Sequence, residues 1–252
     1  MLTSYVYTQN IRILLTLSNL ANLRSDIIPH LISHFESSFS VQLTEETKTI
    51  RDVLGQIDAR LFQSYVQPTV AEIKSIIDKG ISSPLWAPRT GERPTDARAY
   101  VYEVLLALVL VHSEVSTTGA SSLTNQLLSY HLEQASLHLL SAFQERKPPS
   151  TGGASNHYDL PALMQATLDV EFLAQTLNNY TTDRAGEVQS RIYLALDERT
   201  DDEARGRLQG ELPEMRGVLK RLREGTKGQF GCFRRERRGR AGKEGSKSGS
   251  LG

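Results

Sequence analysis

The chain has 252 residues and a mass of 28.1 kDa, and 39% of its residues are hydrophobic. This is enough for one large or two small domains with an apolar core, so a fully disordered chain is not expected. Cys232 is the only cysteine, which excludes a disulfide-rich fold and is typical of a reducing compartment.

The charges are divided unevenly along the chain, although the formal net charge is zero. Residues 216–252 contain 12 Lys and Arg against three acids and therefore carry +9, so the 215 residues before them carry −9. Nine of the 18 glycines also lie after Met215, whereas all nine prolines lie at or before Pro213. We interpret residues 216–252 as a helix end followed by a disordered basic tail.

Two apolar runs raise the question of targeting. Residues 11–23 contain Arg12 and follow no basic segment, which argues against a signal peptide. The run from Val104 to Val111 has eight residues, whereas a membrane helix needs about 20. We therefore predict a soluble, intracellular chain.

Apolar residues recur at helical spacing through most of the chain, and no stretch alternates as a strand does, which predicts an all-α fold. The first predicted helix has its cap at Ser25 or Asp26 and Pro29 in its first turn. Its apolar face, which we assign to the core, comprises Ile27, Ile28, Leu31, Ile32, Phe35 and Phe39.

A long amphipathic helix is predicted next, with Glu45 and Glu46 in its first turn. Its apolar face comprises Ile50, Val53, Leu54, Ile57, Leu61, Phe62, Tyr65 and Val66. Pro68 is expected to break or kink this helix. A further helix is then predicted from Thr69 to Lys79, ending at Gly80.

The segment from Ser82 to Ala97 contains three prolines and the sole tryptophan, which predicts a loop pinned by Trp86. Residues 100–115 are apolar almost all round and are predicted to form a central core helix. The next helix is predicted to bury Leu128, Leu132, Ala135, Leu139 and Phe143.

A flexible link is predicted at residues 148–158, after which Asp159 can cap a helix with Pro161 in its first turn. The apolar side of that helix comprises Leu163, Met164, Leu168, Val170, Leu173, Ala174 and Leu177. The last two predicted helices are 184–198 and 203–223.

Short turns between these helices predict antiparallel neighbours, as in a helical bundle or an elongated stack of bundles. We divide the chain into an N-terminal bundle portion, 1–97, a C-terminal bundle, 98–215, and the terminal segment, 216–252.

No pattern predicts a metal or catalytic site. His30 and His34 are four residues apart, but Leu31 stands where a zinc-binding His-Glu-x-x-His helix has glutamate. His131 and His138 are likewise expected to be ordinary histidines, and His112 is expected to be a hydrogen-bonded core histidine.

The acidic clusters have structural explanations. Glu45-Glu46 and Asp201-Asp202-Glu203 fall at helix starts, where carboxylates favour the helix dipole, and Asp169 lies near Glu171. No phosphate-binding loop, nucleophile elbow or dinucleotide fingerprint is present in the sequence. The sequence therefore predicts a non-enzymatic protein with no metal, cofactor or small-molecule substrate.

Several collinear strings resemble the exocyst component two family, the Sec-five subunits, in the C-terminal part of the family chain, with the fungal members closest. These strings are RLFQSYV at 60–66, RAYVYEVLLALVLVHSEVS at 98–116, ALMQATLDVEFLAQTLNNYTT at 162–182, ILLTLSNLANLRSDIIPHLISHF at 13–35 and Cys232-Phe233. The resemblance runs from residue 11 to residue 233.

The resemblance implies a non-enzymatic exocyst subunit that tethers secretory vesicles to the plasma membrane before SNARE-mediated fusion. It implies stacked helical bundles of the multisubunit-tether type, other exocyst subunits as partners, and a cytoplasmic location, peripheral at sites of secretion. Family members are several times longer, and neither their N-terminal coiled-coil region, which assembles with partner subunits, nor the animal members' immunoglobulin-like domain has a counterpart here. We expect a fragment that contains only the C-terminal bundles.

The basic tail extends past the point where the family chain typically stops. We weigh a disordered or spurious extension against a surface that contacts anionic plasma-membrane lipid. The candidate lipid-contact residues are Arg234, Arg235, Arg237, Arg238, Arg240 and Lys243. The alternative function is a helical adaptor that binds anionic lipid or other acidic partners through this tail. Nucleic acid is not expected, because Phe230 and Phe233 are too few for base stacking.

Overall fold

The computed structural model describes residues 2–89, 91–118, 120–146, 158–200 and 202–234, with only the backbone for residues 2–7. These ranges contain no β-strand beyond an isolated bridge between Tyr158 and Thr200, which confirms the all-α prediction. The helices are α1 (Leu2–Asn22), α2 (Ile28–Phe39), α3 (Thr44–Ser82), α4 (Ala99–Thr117), α5 (Thr124–Glu145), α6 (Leu160–Thr176), α7 (Asp183–Glu198) and α8 (Asp202–Gly225).

The first two helices form one continuous helical segment rather than a helix that starts at Ser25. A single π-helical turn, Leu23–Ile27, joins α1 to α2, so the predicted cap at Ser25 or Asp26 is wrong. Pro29 does lie in the first turn of α2. The wider π turn explains this continuity, because it lets the backbone pass a proline that has no N–H to donate.

Helix α3 continues through Pro68 for 39 residues, so the predicted break there and the separate helix after it are also wrong. A proline removes one intrahelical hydrogen bond, here the bond to the carbonyl of Ser64. Packing on both sides offsets that loss, because Tyr65 and Val66 before the proline and Ile73 after it are buried.

Helix α4 lies at the centre of the bundle and packs against α3, α5 and α6. Its buried face comprises Tyr100, Val101, Val104, Leu105, Ala107, Leu108, Val111 and Val115. Leu106 and Leu110 are exposed, so the helix is not covered on all sides as its composition suggested. Within the described residues it is the one helix long and apolar enough to cross a membrane. The core helix of a soluble protein can have the same length and composition.

The later helices follow their sequence signals closely. Asp159 accepts a hydrogen bond from the Ala162 amide at 3.1 Å and so caps α6, with Pro161 in the first turn. Thr182 caps α7 in the same way, through the Ala185 amide. The five residues that α5 was predicted to bury are all buried. Residues 147–157, which hold most of the predicted flexible link, lie outside the described part of the chain.

The chain remains folded past α8, as far as Phe233. This side chain is fully buried, with its ring edge-on to Tyr180 at a centroid distance of 6.3 Å, and Phe230 stacks against it at 6.4 Å. One hydrophobic cluster therefore runs from Leu14 to Phe233. The division at residue 97 stays a prediction, and residues 235–252 of the predicted tail lie outside the described residues.

Helices α3 and α4 approach so closely at Gly80 that no side chain fits. A Cβ added there would lie 2.3 Å from the Cβ of Tyr100, whereas one added at Gly55 would have no atom within 4 Å. We expect Gly80→Ala to destabilise the protein by about 1–3 kcal/mol through overpacking. Gly55→Ala, the control in the same helix, should stabilise it by about 0.5–1 kcal/mol. Urea unfolding followed by circular dichroism measures both, and equal effects would contradict the packing of α3 on α4.

Candidate functional site

The structure places only one of the six predicted lipid-contact residues. Arg234 is exposed and lies at the end of the described chain, where its guanidinium donates to the Arg223 carbonyl at 3.4 Å. The other five predicted residues, Arg235, Arg237, Arg238, Arg240 and Lys243, lie outside the described residues. The predicted lipid contact therefore stays a prediction.

The histidines do not gather into a site. His30 and His34 are exposed on α2, and His131 is fully buried in α5 with its Nδ1–H directed at the Leu127 carbonyl, 2.6 Å away. Burial lowers the pKa of His131, so this side chain is neutral in the core. Nowhere in the described ranges do three His, Cys, Asp or Glu side chains come together as metal ligands.

The predicted core histidine, His112, is half-buried rather than enclosed. Its Nδ1 lies 3.4 Å from the Ser116 hydroxyl, and its ring meets that of Phe233 edge-on at 6.2 Å. Burial lowers its pKa. These contacts give the side chain a packing role at the end of α4.

The acidic pairs at helix starts occupy the first turns that the sequence predicted. Glu45 and Glu46 begin α3, and Asp202 and Glu203 begin α8, while Asp201 lies outside the described residues. Each pair lies where the helix dipole favours a negative charge.

Asp169 is a buried carboxylate at the centre of the fold, and sequence reasoning did not identify its role. Its Oδ2 accepts from the Trp86 indole at 3.2 Å, and its Oδ1 accepts from the Arg98 amide at 2.9 Å and the Gln165 side chain at 2.8 Å. Burial raises the pKa of Asp169 to about 6, although the donors oppose this rise. The carboxylate thus joins α6 to the loop before α4 and to the first turn of α4.

Trp86 confirms the prediction that it pins the loop. Its ring packs against Phe143, with a centroid distance of 5.7 Å, and the Arg146 guanidinium lies 4.6 Å above it. Arg98 holds the same residue from the other side, since its Nε donates to the Trp86 carbonyl at 2.5 Å. These contacts close the surroundings of Asp169, so the carboxylate serves the fold and is not presented to a ligand.

The largest departure from the sequence prediction is an apolar surface on α2 and the first half of α3. No residue of α2 is buried, and Leu31 and Phe39 are 59% and 64% exposed. The predicted core face of α2 is therefore wrong for Ile27, Leu31, Phe35 and Phe39, which no described element covers, whereas Ile28 and Ile32 are half-buried at the groove between α2 and α3. We call this region the arm surface, and it comprises Ile27, Leu31, Phe35, Phe39, Val41, Ile50, Val53 and Ile57.

Helix geometry places both rows of the arm surface on one side of the hairpin. The two helices run antiparallel, joined by residues 40–43, and the Arg24–Asp58 ion pair at 3.4 Å holds them together near the π turn. On each helix, the apolar row lies about a quarter-turn from the residues that line the groove between them, in the same rotational sense. Equal rotations on antiparallel helices put the two rows on the same face.

Glu114 fastens the arm to the bundle. Its carboxylate accepts from the Asn10 side chain at 3.2 Å and from the Tyr65 hydroxyl at 2.9 Å. Burial and the neighbouring negative charge raise the pKa of Tyr65, so the hydroxyl keeps its proton and remains a donor. Glu114 thus joins α1 and α3 to the C-terminal end of α4. The arm surface lies between these two contacts in the chain, at residues 27–57.

Comparison with known proteins supplies the family context. The profile of the family described as "Exocyst complex component Sec5" matches residues 3–233. The human protein "Exocyst complex component 2" is 27% identical over 175 residues, which are 69% of this chain and 18% of the human protein. The mouse protein of the same name is 26% identical over the same coverage. The chain thus matches less than a fifth of the length of these relatives, and no solved structure matches it significantly.

We expect Asp169→Asn to destabilise the protein by about 2 kcal/mol at neutral pH. Both carboxylate oxygens accept hydrogen bonds from N–H donors, and the NH₂ group of Asn would face one of these donors without being able to accept its hydrogen bond. Asp159→Asn, the control in the same helix, should change stability by less than about 0.5 kcal/mol, since Asn caps a helix as well as Asp does. Urea unfolding measures both variants. Equal effects would show that Asp169 is not the hub of this network.

The effect of Asp169→Asn should also depend on pH. A folded-state pKa of about 6 lies above the ordinary carboxyl value, so the stability that Asp169 contributes is greatest below about pH 4 and is lost as pH rises through 6. The penalty of the substitution should therefore be larger at pH 5 than at pH 7.5, by about 1.4 kcal/mol, because pH 5 lies about one unit below the folded-state pKa.

The comparison of parent and variant at each pH cancels the opposite contribution of neutral buried histidines, which are protonated as pH falls. A penalty that grows from pH 5 to pH 7.5 would mean that the hydrogen-bond donors outweigh burial and hold the pKa of Asp169 below its ordinary value.

Proposed function

Because the chain belongs to the exocyst Sec5 family, we propose that it is a non-enzymatic part of an exocyst subunit that tethers secretory vesicles to the plasma membrane before SNARE-mediated fusion. The family match over residues 3–233 supports this role. The all-α fold of the described residues also agrees with a structural part of such a subunit.

The proposed location is the cytoplasm, peripheral at plasma-membrane sites of secretion, and the proposed partners are other exocyst subunits. Both follow from the family, whose named members are exocyst components. The chain matches 18% of its human relative, so the tethering role belongs to the whole subunit, and this chain supplies one helical part of it.

The arm surface is the observation that carries the proposal. Its eight large apolar side chains are exposed on two antiparallel helices, the π turn before them and the connection between them. Such a surface is usually covered in a working assembly, because exposed apolar patches mark interaction sites. The occupant we propose is an amphipathic helix of another exocyst subunit, lying along the hairpin and burying its apolar face there.

Charged residues line the groove beside this surface and favour a partner helix that carries both signs of charge. Lys48, Arg51 and Asp52 lie on the groove side of α3. A polar rim around an apolar centre is the ordinary form of a protein interface. The family membership favours this role over the alternative, a general adaptor that acts through its basic tail.

The test measures binding of the 252-residue chain to each of the other exocyst subunits, purified singly. We expect the parent to bind at least one of them. The double variant Leu31→Ser and Phe39→Ser should bind at least tenfold more weakly, because burying each of these side chains contributes about 1.5–3 kcal/mol.

The control is Leu85→Ser with Leu194→Ser, two leucines that are 80% and 62% exposed outside the arm surface. This variant should bind as the parent does. Equal loss in both variants would remove the arm surface as the contact, and a parent that binds none of the subunits would overturn the proposed partnership.

A further inference from the structure

The last part of the described chain carries a row of basic side chains on one face. Arg216, Lys220 and Arg223 lie on α8, and Lys227 continues the spacing of four and three just past the end of the helix. Residues three and four apart lie on the same side of a helix, so these charges are neighbours. Arg234 joins them, because its guanidinium bonds the Arg223 carbonyl.

These basic side chains have no ion pair in the described part of the chain, whereas several basic residues elsewhere in the fold do. Arg93 pairs with Glu211 and Glu214 at 2.8 and 2.7 Å, and Arg205 pairs with Asp197 at 2.6 Å. No ion pair involves the row on α8, where the basic side chains outnumber the one neighbouring acid, Glu224. Repulsion between like charges lowers stability unless a negative ligand neutralises it.

Three residues of the row, Arg216, Lys220 and Arg223, line a cleft of about 490 Å³ between α8 and the end of α6, together with Arg234. Glu224 is the only acid among its lining residues, which otherwise include Asn178, Asn179 and four basic side chains. This volume falls within the usual range for small-ligand sites, about 300–1,000 Å³. The cleft can therefore hold a headgroup and is more than a flat charged face.

Two contacts hold the cleft in shape before any ligand binds. The Arg223 guanidinium donates to the Gln175 side chain at 3.1 Å, and the Asn179 side chain donates to the Phe233 carbonyl at 2.9 Å. The second contact fixes the chain next to Arg234 at the rim. A cleft whose cationic groups are already positioned loses less conformational freedom on binding.

We propose that this cleft binds the phosphorylated headgroup of an anionic lipid, so that the end of α8 faces a membrane. Arginine and lysine are the side chains that recognise phosphate, through bidentate and point-charge contacts. The proposal adds a membrane contact to the tethering role and does not depend on that role.

The charge distribution favours a membrane over an acidic protein as the occupant. Residues 1–215 carry −9 and are repelled by an anionic bilayer, whereas residues 216–234 hold six basic residues against one acid, Glu224. The following residues, 235–252, add six more basic residues against two acids and include no aromatic residue. A strongly basic segment with little apolar content is typical of contact with lipid headgroups, and less so of a protein interface.

The test measures binding of the full chain to phosphatidylcholine vesicles that contain a few per cent of phosphatidylinositol bisphosphate, at about 0.1 M salt, where the Debye length is about 10 Å. The triple variant Arg216→Gln, Lys220→Gln and Arg234→Gln should bind about a hundredfold more weakly, which is about fivefold for each charge removed near the surface. Circular dichroism checks that the variant is folded.

The matched control removes three exposed basic residues of α3, Lys48→Gln, Arg51→Gln and Arg60→Gln, and so has the same net charge. Its affinity should fall by no more than about twofold, since charges beyond a Debye length are screened. Equal loss in the two triple variants, or absence of vesicle binding by the parent, would overturn the proposal.

Three further arms separate the possible sources of the negative charge. A chain ending at Arg234 should keep the difference between the two triple variants, and loss of that difference would assign the binding to residues 235–252 instead.

Inositol hexakisphosphate should compete with the vesicles while inorganic phosphate should not, and equal competition would overturn a headgroup cleft. Binding to polyglutamate with none to vesicles would identify an acidic protein and overturn the lipid assignment.

Discussion

The fold depends on a single buried carboxylate. Asp169 sits in the core, where a charged or polar group is stable only when its hydrogen bonds are made. Meeting that requirement fixes Trp86 and the Arg98 amide against α6. The loop between α3 and α4 is rich in proline and cannot satisfy its backbone by regular structure, so the carboxylate replaces the hydrogen bonds that a helix or sheet would supply.

Periodicity predicted the helices because it depends on neighbours three and four residues apart, which the sequence contains. It could not predict what covers an apolar face, and this is why α2 was assigned to the core although Leu31 is mostly exposed. The break expected at Pro68 failed for a related reason, since distant packing offsets one local hydrogen bond. Asp169 was missed because its partners lie 71 and 83 residues away in the chain, and no local pattern records contacts at that separation.

Two surfaces of opposite chemistry emerge from this core, one apolar on α2 and α3 and one basic on α8. Both are fastened to the same end of α4. Glu114 accepts hydrogen bonds from Asn10 of α1 and Tyr65 of α3. His112, two residues before it, packs against Phe233 beside the basic cleft. The N-terminal end of α4 is held by the hydrogen bond from the Arg98 amide to Asp169. The helix therefore links this buried hydrogen-bond network to the region near both surfaces.

This arrangement suits a protein that must hold one partner in a fixed position relative to another. The arm surface and the basic cleft share no lining residue, so substitutions confined to each should act independently and their effects should add. A rigid helix between two separate surfaces fixes their relative position without requiring a conformational change, which is the property that the proposed tethering role needs.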